Sequence, residues 1–155
     1  MSGFVVVGDS LLDRDLDGQV RRLAPDALAP VLDEESSVDR PGGAALAALL
    51  AAEYGYRVTL ITALAGDPAA TRVAELLAAA GVIVHALTAP APTPEKIRLR
   101  CSGQVLLRLD RGGNGPGRPA PLDPGDPALE LIRDAEAVEA SDYGRGLLRD
   151  DRLRA

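Results

Sequence analysis

Three short apolar runs constrain the fold of this chain most: "FVVV" (4–7), "RVTLITAL" (57–64) and "VIVHAL" (82–87). Continuously apolar runs of this length read as strands buried on both faces, and the first ends in Gly8-Asp9, a strand-end signal. Between them lie two alanine-rich segments of helical length. The first, 44–54, follows a diglycine and is closed by Gly55. The second runs from 67 to 80, with Asp67 as N-cap, Pro68 at the first helical position and Gly81 beyond the end. Strand, helix, strand, helix, strand at short spacing predicts parallel βαβ units, hence an α/β protein.

The rest of the chain has a different character. "PVLDEESSV" (30–38) reads as an exposed strand. "EKIRLRCSGQVLLRLDRG" (95–112) reads as a hairpin around Ser102-Gly103, with Ile97, Leu99 and Cys101 on one face and Lys96, Arg98 and Arg100 on the other. Residues 112–127 are dense in Gly and Pro and predict a loop. A short helix near 128–134 follows, then a strand in "AEAVEAS" (135–141) that is expected to be buried and would place Glu139 in an apolar setting. Next come the loop "SDYGRG" (141–146) and a polar tail expected to fray.

Composition removes several functions. The chain has 155 residues, enough for one domain, and a formal net charge of −6, which disfavours nonspecific nucleic-acid binding. Aromatic residues are 3 % of the chain, so the core must be built from Ala, Val and Leu. A single cysteine, Cys101, excludes an internal disulfide. No apolar run has the length of a membrane span, and there is no secretory leader pattern, so a cytoplasmic protein without membrane or nucleic-acid partners is expected.

Four clusters carry polar chemistry. Gly42-Gly43 permit close backbone approach, but no Lys-Ser/Thr follows as a phosphate loop requires, and no third spaced glycine as a dinucleotide fingerprint requires. "GDSLLDRDLDG" (8–18) sets Asp9, Asp13, Asp15 and Asp17 after the first strand, the end where α/β sheets bind ligands. For Asp15 and Asp17 a solvated acidic loop is the expectation. Lys96, Arg98 and Arg100, with Arg108 on the partner strand, would either receive an anion or keep an exposed strand soluble. Asp142, Tyr143 and Arg145 share a glycine-flanked loop. His85 and Cys101 alternate with apolar residues and read as structural.

In their order, "VVVGDSLLDRDLDG", "RLAPDALAPVLD", "RPGGAALAALLAAEYG", "PTPEKIRLR", "LLRLDRG" and "SDYGRG" resemble the first half of a ribokinase (PfkB) family sugar kinase. Within that family they are most similar to heptose 7-phosphate kinase domains of ADP-heptose synthesis. The resemblance runs from Val5 to about Leu148. It implies a ribokinase-like three-layer α/β sandwich, C-terminally incomplete, with a small β-sheet lid from segments near 14–20, 30–38 and 95–110. It implies Asp13 as acceptor of a sugar hydroxyl, Gly42-Gly43 against the sugar, and Lys96 and Arg98 as the basic pair of a Thr-Lys-x-Arg segment, with Glu95 in place of the threonine. Asp142, Tyr143 and Arg145 correspond to an Asp-Tyr-x-Lys-Gly loop near the substrate phosphate. Leu46 replaces an asparagine common in the family's Gly-Gly-Ala-Ala-Asn segment.

The implied reaction is ATP-dependent phosphorylation of a sugar phosphate, with ATP and Mg2+ as cofactors. The family's Gly-Ala-Gly-Asp motif, its nucleotide pocket and its Asn-x-x-Glu segment come later than Ala155. The expectation is therefore a chain with no catalytic residue and no metal ligand of its own, inactive alone. Its partners would be a sugar phosphate, a second copy through lid strands, or a complementing C-terminal kinase half. The alternative is a noncatalytic sugar-phosphate-binding or regulatory module.

Overall fold

The structure is a computed structural model in which residues 3–112 and 125–153 are described. Most of the Gly- and Pro-dense segment expected as a loop lies outside them. In chain order the elements are β1 (Phe4–Gly8), β2 (Ser10–Leu23), β3 (Pro30–Gly43), α1 (Ala44–Glu53), β4 (Val58–Leu64), α2 (Pro68–Ala79), β5 (Ile83–Thr88), β6 (Glu95–Cys101), β7 (Gln104–Arg111), α3 (Pro127–Arg133) and β8 (Ala137–Ser141). Single 3-10 turns follow at Leu147–Arg149 and Asp151–Leu153.

Two four-stranded sheets form. The main sheet has the order β5-β4-β1-β8, and its strand pairs are all parallel. Alternation along β1 sends Val6 to one face and Val5 and Val7 to the other, as the two-residue period of a strand requires. On the first face, Val6, Val58 and Leu60 pack with Ala44, Ala45 and Ala48 of α1 and Val73 and Leu77 of α2. The alanines present only a methyl group, so α1 lies close on the sheet and the core closes without aromatic side chains. On the second face, Val5, Val7 and Ile61 pack with Ala128 and Leu129 of α3 and with Leu147, Leu148 and Leu153. The layers are helix, sheet and helix.

The second sheet has the order β3-β2-β6-β7. β2 pairs antiparallel with β3 and parallel with β6, and β6–β7 is the expected hairpin. The segments expected to form the lid make up this sheet, here called the lid sheet, and its first strand in chain order is longer than expected. Residues 10–23 form one continuous strand, so the acidic segment is not a loop.

Two further expectations are corrected. The tail is not frayed over its described residues: Leu147, Leu148 and Leu153 are buried, because a polar sequence with leucines at these positions still offers an apolar face to the sheet. Glu139 is exposed rather than buried, because β8 pairs only with β1 at the sheet edge, and the Ser141 hydroxyl donates to the Glu139 carboxylate at 3.2 Å. The cost of an unpaired buried carboxylate does not arise there.

The α2 N-terminus links the two sheets. Asp67 accepts the Ala70 N–H at 2.9 Å as N-cap and the Thr93 N–H at 2.7 Å from the approach to β6. Thr93 in turn accepts the Ala65 N–H at 3.1 Å. Asp67→Ala removes a cap and orphans a backbone donor. The expected loss is about 2 kcal/mol, read as a lower denaturant midpoint at unchanged slope.

Candidate functional site

The chain passes from the main sheet to the lid sheet through one residue. Asp9 separates β1 from β2, is only 6 % exposed, and uses all its polar groups except one carboxylate oxygen. Its N–H donates to the Ser141 carbonyl at 3.1 Å, and its carbonyl accepts the Ala44 N–H at 2.9 Å. Its Oδ2 accepts the N–H groups of Tyr143 at 3.1 Å and Arg145 at 2.9 Å. The end of β8, the start of α1 and the loop 142–146 are thereby fastened to one point. A second buried link lies beside it, where Thr62 of β4 donates to the Ser10 hydroxyl at 2.9 Å.

The diglycine belongs to the same junction. Gly43 has φ +63°, and a Cβ there would strike the Asp9 carbonyl and lie 3.5 Å from the Tyr143 ring. A Cβ on Gly42 would collide with the Asp13 carboxylate and the Leu11 side chain. Both glycines are needed for close approach, and what approaches is this chain's own Asp9, Asp13 and Tyr143. Those residues are thus brought into one region. The loop 142–146 is shaped by Gly144 and Gly146, both at positive φ, and by Asp142, whose carboxylate accepts the Gly144 N–H at 2.8 Å. Tyr143 is 58 % exposed. Leu46, in the first turn of α1, is 39 % exposed and offers no polar group.

Asp13 is the fourth residue of β2, not a residue of a loop beyond β1, and its register partners are Arg40 on β3 and Lys96 on β6. The strands meet so that Asp13, Asp15 and Asp17 stand beside Lys96, Arg98 and Arg100. Arg98 donates to Asp13 at 2.6 Å and lies 3.6 Å from Asp15. Asp15 also pairs with Arg40 at 2.5 Å and Arg100 at 3.2 Å, and Arg100 reaches Asp17 at 3.5 Å. The expected solvated loop is therefore wrong for Asp15, whose side chain is 5 % exposed and surrounded by three guanidiniums. Arg98 is not a free cation awaiting a phosphate. Lys96 and Arg145 make no ion pair among the described residues. Arg108 pairs with Asp110 at 2.8 Å, His85 faces Asp126 at 3.4 Å, and Cys101 lies beside Ser102; none of the three joins the site.

The opposite face of the lid is tied to the main layer by a second ionic chain. Arg14 of β2 donates to Asp39 of β3 at 2.6 Å, and Asp39 also accepts from Arg72 of α2 at 3.1 Å. Residue patterning alone did not disclose this contact or the role of Asp9. A carboxylate directly after a fully buried strand was the one available signal for Asp9.

These contacts set the ionisation of the lid. Burial pushes the Asp15 carboxyl up, but hydrogen bonds and charge from Arg40 and Arg100 outweigh it and hold Asp15 below its ordinary 3.8. The Arg14 hydrogen bond, opposed by burial and aided by Arg72, holds Asp39 below 3.8 too. The Asp13 hydrogen bond raises Arg98 above its ordinary value.

No family model matches the chain. It is 49 % identical over 142 residues to the bifunctional protein HldE of Streptomyces coelicolor, covering 92 % of this chain and 29 % of that protein. It is 39 % identical over 153 residues to HldE of Azotobacter vinelandii, covering 96 % and 31 %. The chain thus spans about three-tenths of the length of the curated relatives it matches. Among solved structures, Arabidopsis thaliana ribokinase complexed with ribose and ATP superposes with a TM-score of 0.63 at 22 % identity, over 90 % of this chain and 45 % of that one. The microbiome-derived acarbose kinase Mak1 gives 0.63 at 20 %, over 99 % and 50 %.

Two outcomes are expected. Asp9→Ala leaves the Tyr143 and Arg145 N–H groups without their buried acceptor, and should lower stability by about 3 kcal/mol and raise amide exchange throughout 142–146. Because Asp15 and Asp39 titrate lower in the folded chain than in the unfolded one, their contribution is fully present above the unfolded value near 3.8. It is lost as pH falls below that value through their folded values. Chemical denaturation at pH 6 and pH 3 should show that loss, and Asp39→Asn should reduce it. In fold the chain is ribokinase-like, and in sequence it resembles HldE over more than nine-tenths of its own length.

Proposed function

We propose that this chain carries the sugar-binding half of a PfkB-type carbohydrate kinase, and that its ligand is a sugar phosphate of the heptose 7-phosphate class. The observation that carries this reading is the convergence at Asp9. It draws the loop holding Tyr143 and Arg145 to the residue from which β2 carries Asp13 into the lid. Support for the sugar class comes from the 49 % identity to an HldE protein.

In this reading Asp13 accepts a sugar hydroxyl, and Gly42-Gly43 keep the floor of the site free of side chains. Lys96 and Arg145, which have no carboxylate partner among the described residues, hold the phosphate. Arg98 orients the Asp13 carboxylate through its 2.6 Å hydrogen bond. Asp142 shapes the loop through its bond to Gly144 and, with Tyr143, lies on the loop that meets the ligand.

ATP and Mg2+ are the cofactors this reading implies, and bound ATP supplies the phosphoryl group. Among the described residues no cluster of three or more His, Cys, Asp or Glu is placed to hold a metal ion. The closely spaced lid carboxylates Asp13, Asp15 and Asp17 are matched by guanidiniums. The chain alone is expected to bind and orient the sugar without phosphoryl transfer. No helix among the described residues is long and apolar enough to cross a membrane.

Charge-assisted contacts to phosphate contribute about 1.5–3 kcal/mol each, so two of them, after association entropy, give binding on the order of millimolar. A sugar 7-phosphate should shift the amide signals of Asp13, Gly43 and Arg145. The unphosphorylated sugar should shift them far less, and ATP no more than inorganic phosphate. Equal shifts with both sugars, or a larger response to ATP, would refute the reading.

A second copy of the chain is the proposed protein partner. β7 is the outer strand of the lid sheet, all eight of its residues are exposed, and Val105, Leu106, Leu107 and Leu109 make it apolar. Such an edge pairs readily with another strand. Sedimentation equilibrium should give a dimer that Leu107→Asp shifts toward monomer; a monomer at the highest concentrations tested would rule it out.

A further inference from the structure

Arg98 sits between two carboxylates of unequal satisfaction. Its register neighbour on β2 is Asp15, yet its guanidinium leans back to Asp13, with Nη1 2.6 Å from Asp13 Oδ1 and 3.6 Å from Asp15 Oδ1. Asp13 is thereby bonded. Asp15 uses Oδ2 for both Arg40 and Arg100, and its Oδ1 is buried with no hydrogen-bond partner. An acceptor stripped of water and left without a donor is unfavourable, and native structures retain few of them. Here a donor 3.6 Å away is one that another acceptor already holds.

We propose that Asp15 is a positioning residue of the sugar site: it receives the Arg98 guanidinium when a ligand engages the Asp13 carboxylate. The proposal rests on the reading of Asp13 as the sugar acceptor. A hydroxyl that donates to Asp13 Oδ1, the oxygen Arg98 holds, competes with Arg98 for it. A small swing of the guanidinium toward Oδ1 of Asp15 fills the empty acceptor and leaves Arg98 paired. The charges facing Asp15 are those of Arg40, Arg98 and Arg100, with Asp13 and Asp17 on the same strand face. None is left alone by the swing. The Arg100 Nε, buried and likewise without a hydrogen-bond partner, gives the network further room to adjust. Asp15 thus lowers the cost of freeing Asp13 without touching the ligand.

The test needs no ligand. In Asp13→Ala the Asp13 acceptor is gone, as when a ligand occupies it. Nuclear magnetic resonance of labelled protein can register which carboxylate carbon the Arg98 guanidinium nitrogens are coupled to through hydrogen bonds. It also registers whether that guanidinium rotates freely. In the native chain the correlation should run to Asp13. In Asp13→Ala it should run to Asp15, with rotation still hindered. Asp13→Val, which also removes both acceptor oxygens and suits a strand position, should show a correlation to Asp15 as well and serves if the alanine variant does not fold. A freely rotating Arg98 with no correlation to Asp15 in the folded variant would overturn the proposal. Failure of the native chain to bind a sugar phosphate would refute the site reading, and it would appear in the ligand titration rather than here.

Discussion

The structure depends on one buried carboxylate at a change of sheet. β1 belongs to the main sheet and β2 to the lid, and Asp9 alone separates them. A chain that turns this sharply in the interior exposes backbone donors that water cannot reach. Asp9 resolves this by accepting two of them from the 142–146 loop while its own backbone groups bond Ser141 and Ala44. The same contacts explain why glycine stands at 42 and 43. The backbone there must pass against Asp9 and Asp13 at a distance no side chain permits. Local tightness and the shape of the candidate site are thus one constraint.

The lid is held by a different physics. Its sheet has few large apolar side chains inside, and its cohesion on the site face comes from carboxylates of β2 in register with guanidiniums of β3 and β6. Such pairs stabilise a fold modestly, because desolvation offsets much of their attraction, but they are geometrically demanding. An ionic lid can rearrange partner by partner, whereas an apolar one must repack as a whole. On its other face the Arg14–Asp39–Arg72 chain ties that sheet to α2, so the lid is anchored where it meets the main layer.

The main layer was legible in the sequence because its signals are local. The apolar runs became β1, β4 and β5, the Asp67-Pro68 pair starts α2 as its chemistry requires, and Ser102-Gly103 turns the β6–β7 hairpin. Asp13, Gly42, Gly43 and Tyr143 do meet. What failed were judgements of burial and charge pairing that depend on distant partners. Asp15 looked solvated because its cations come from residues 40, 98 and 100, and nothing within ten residues of it reveals them. The partner of Arg98 was hidden for the same reason, since Asp13 is 85 residues away in sequence. Glu139 looked buried because a strand's position in its sheet is not written in its own residues. The leucines at 147, 148 and 153 were outweighed by charged neighbours, although burial depends on which face they share.

The central claim is that Asp9 gathers Asp13, Gly42-Gly43 and the 142–146 loop into a site for a sugar phosphate. A crystal structure of the chain soaked with a sugar 7-phosphate tests it most directly. The account expects a sugar hydroxyl on the Asp13 carboxylate and the phosphate between the Lys96 and Arg145 side chains, with Gly43 beneath the ring. A sugar phosphate bound away from Asp13 and the 142–146 loop, with those residues unchanged, would contradict it.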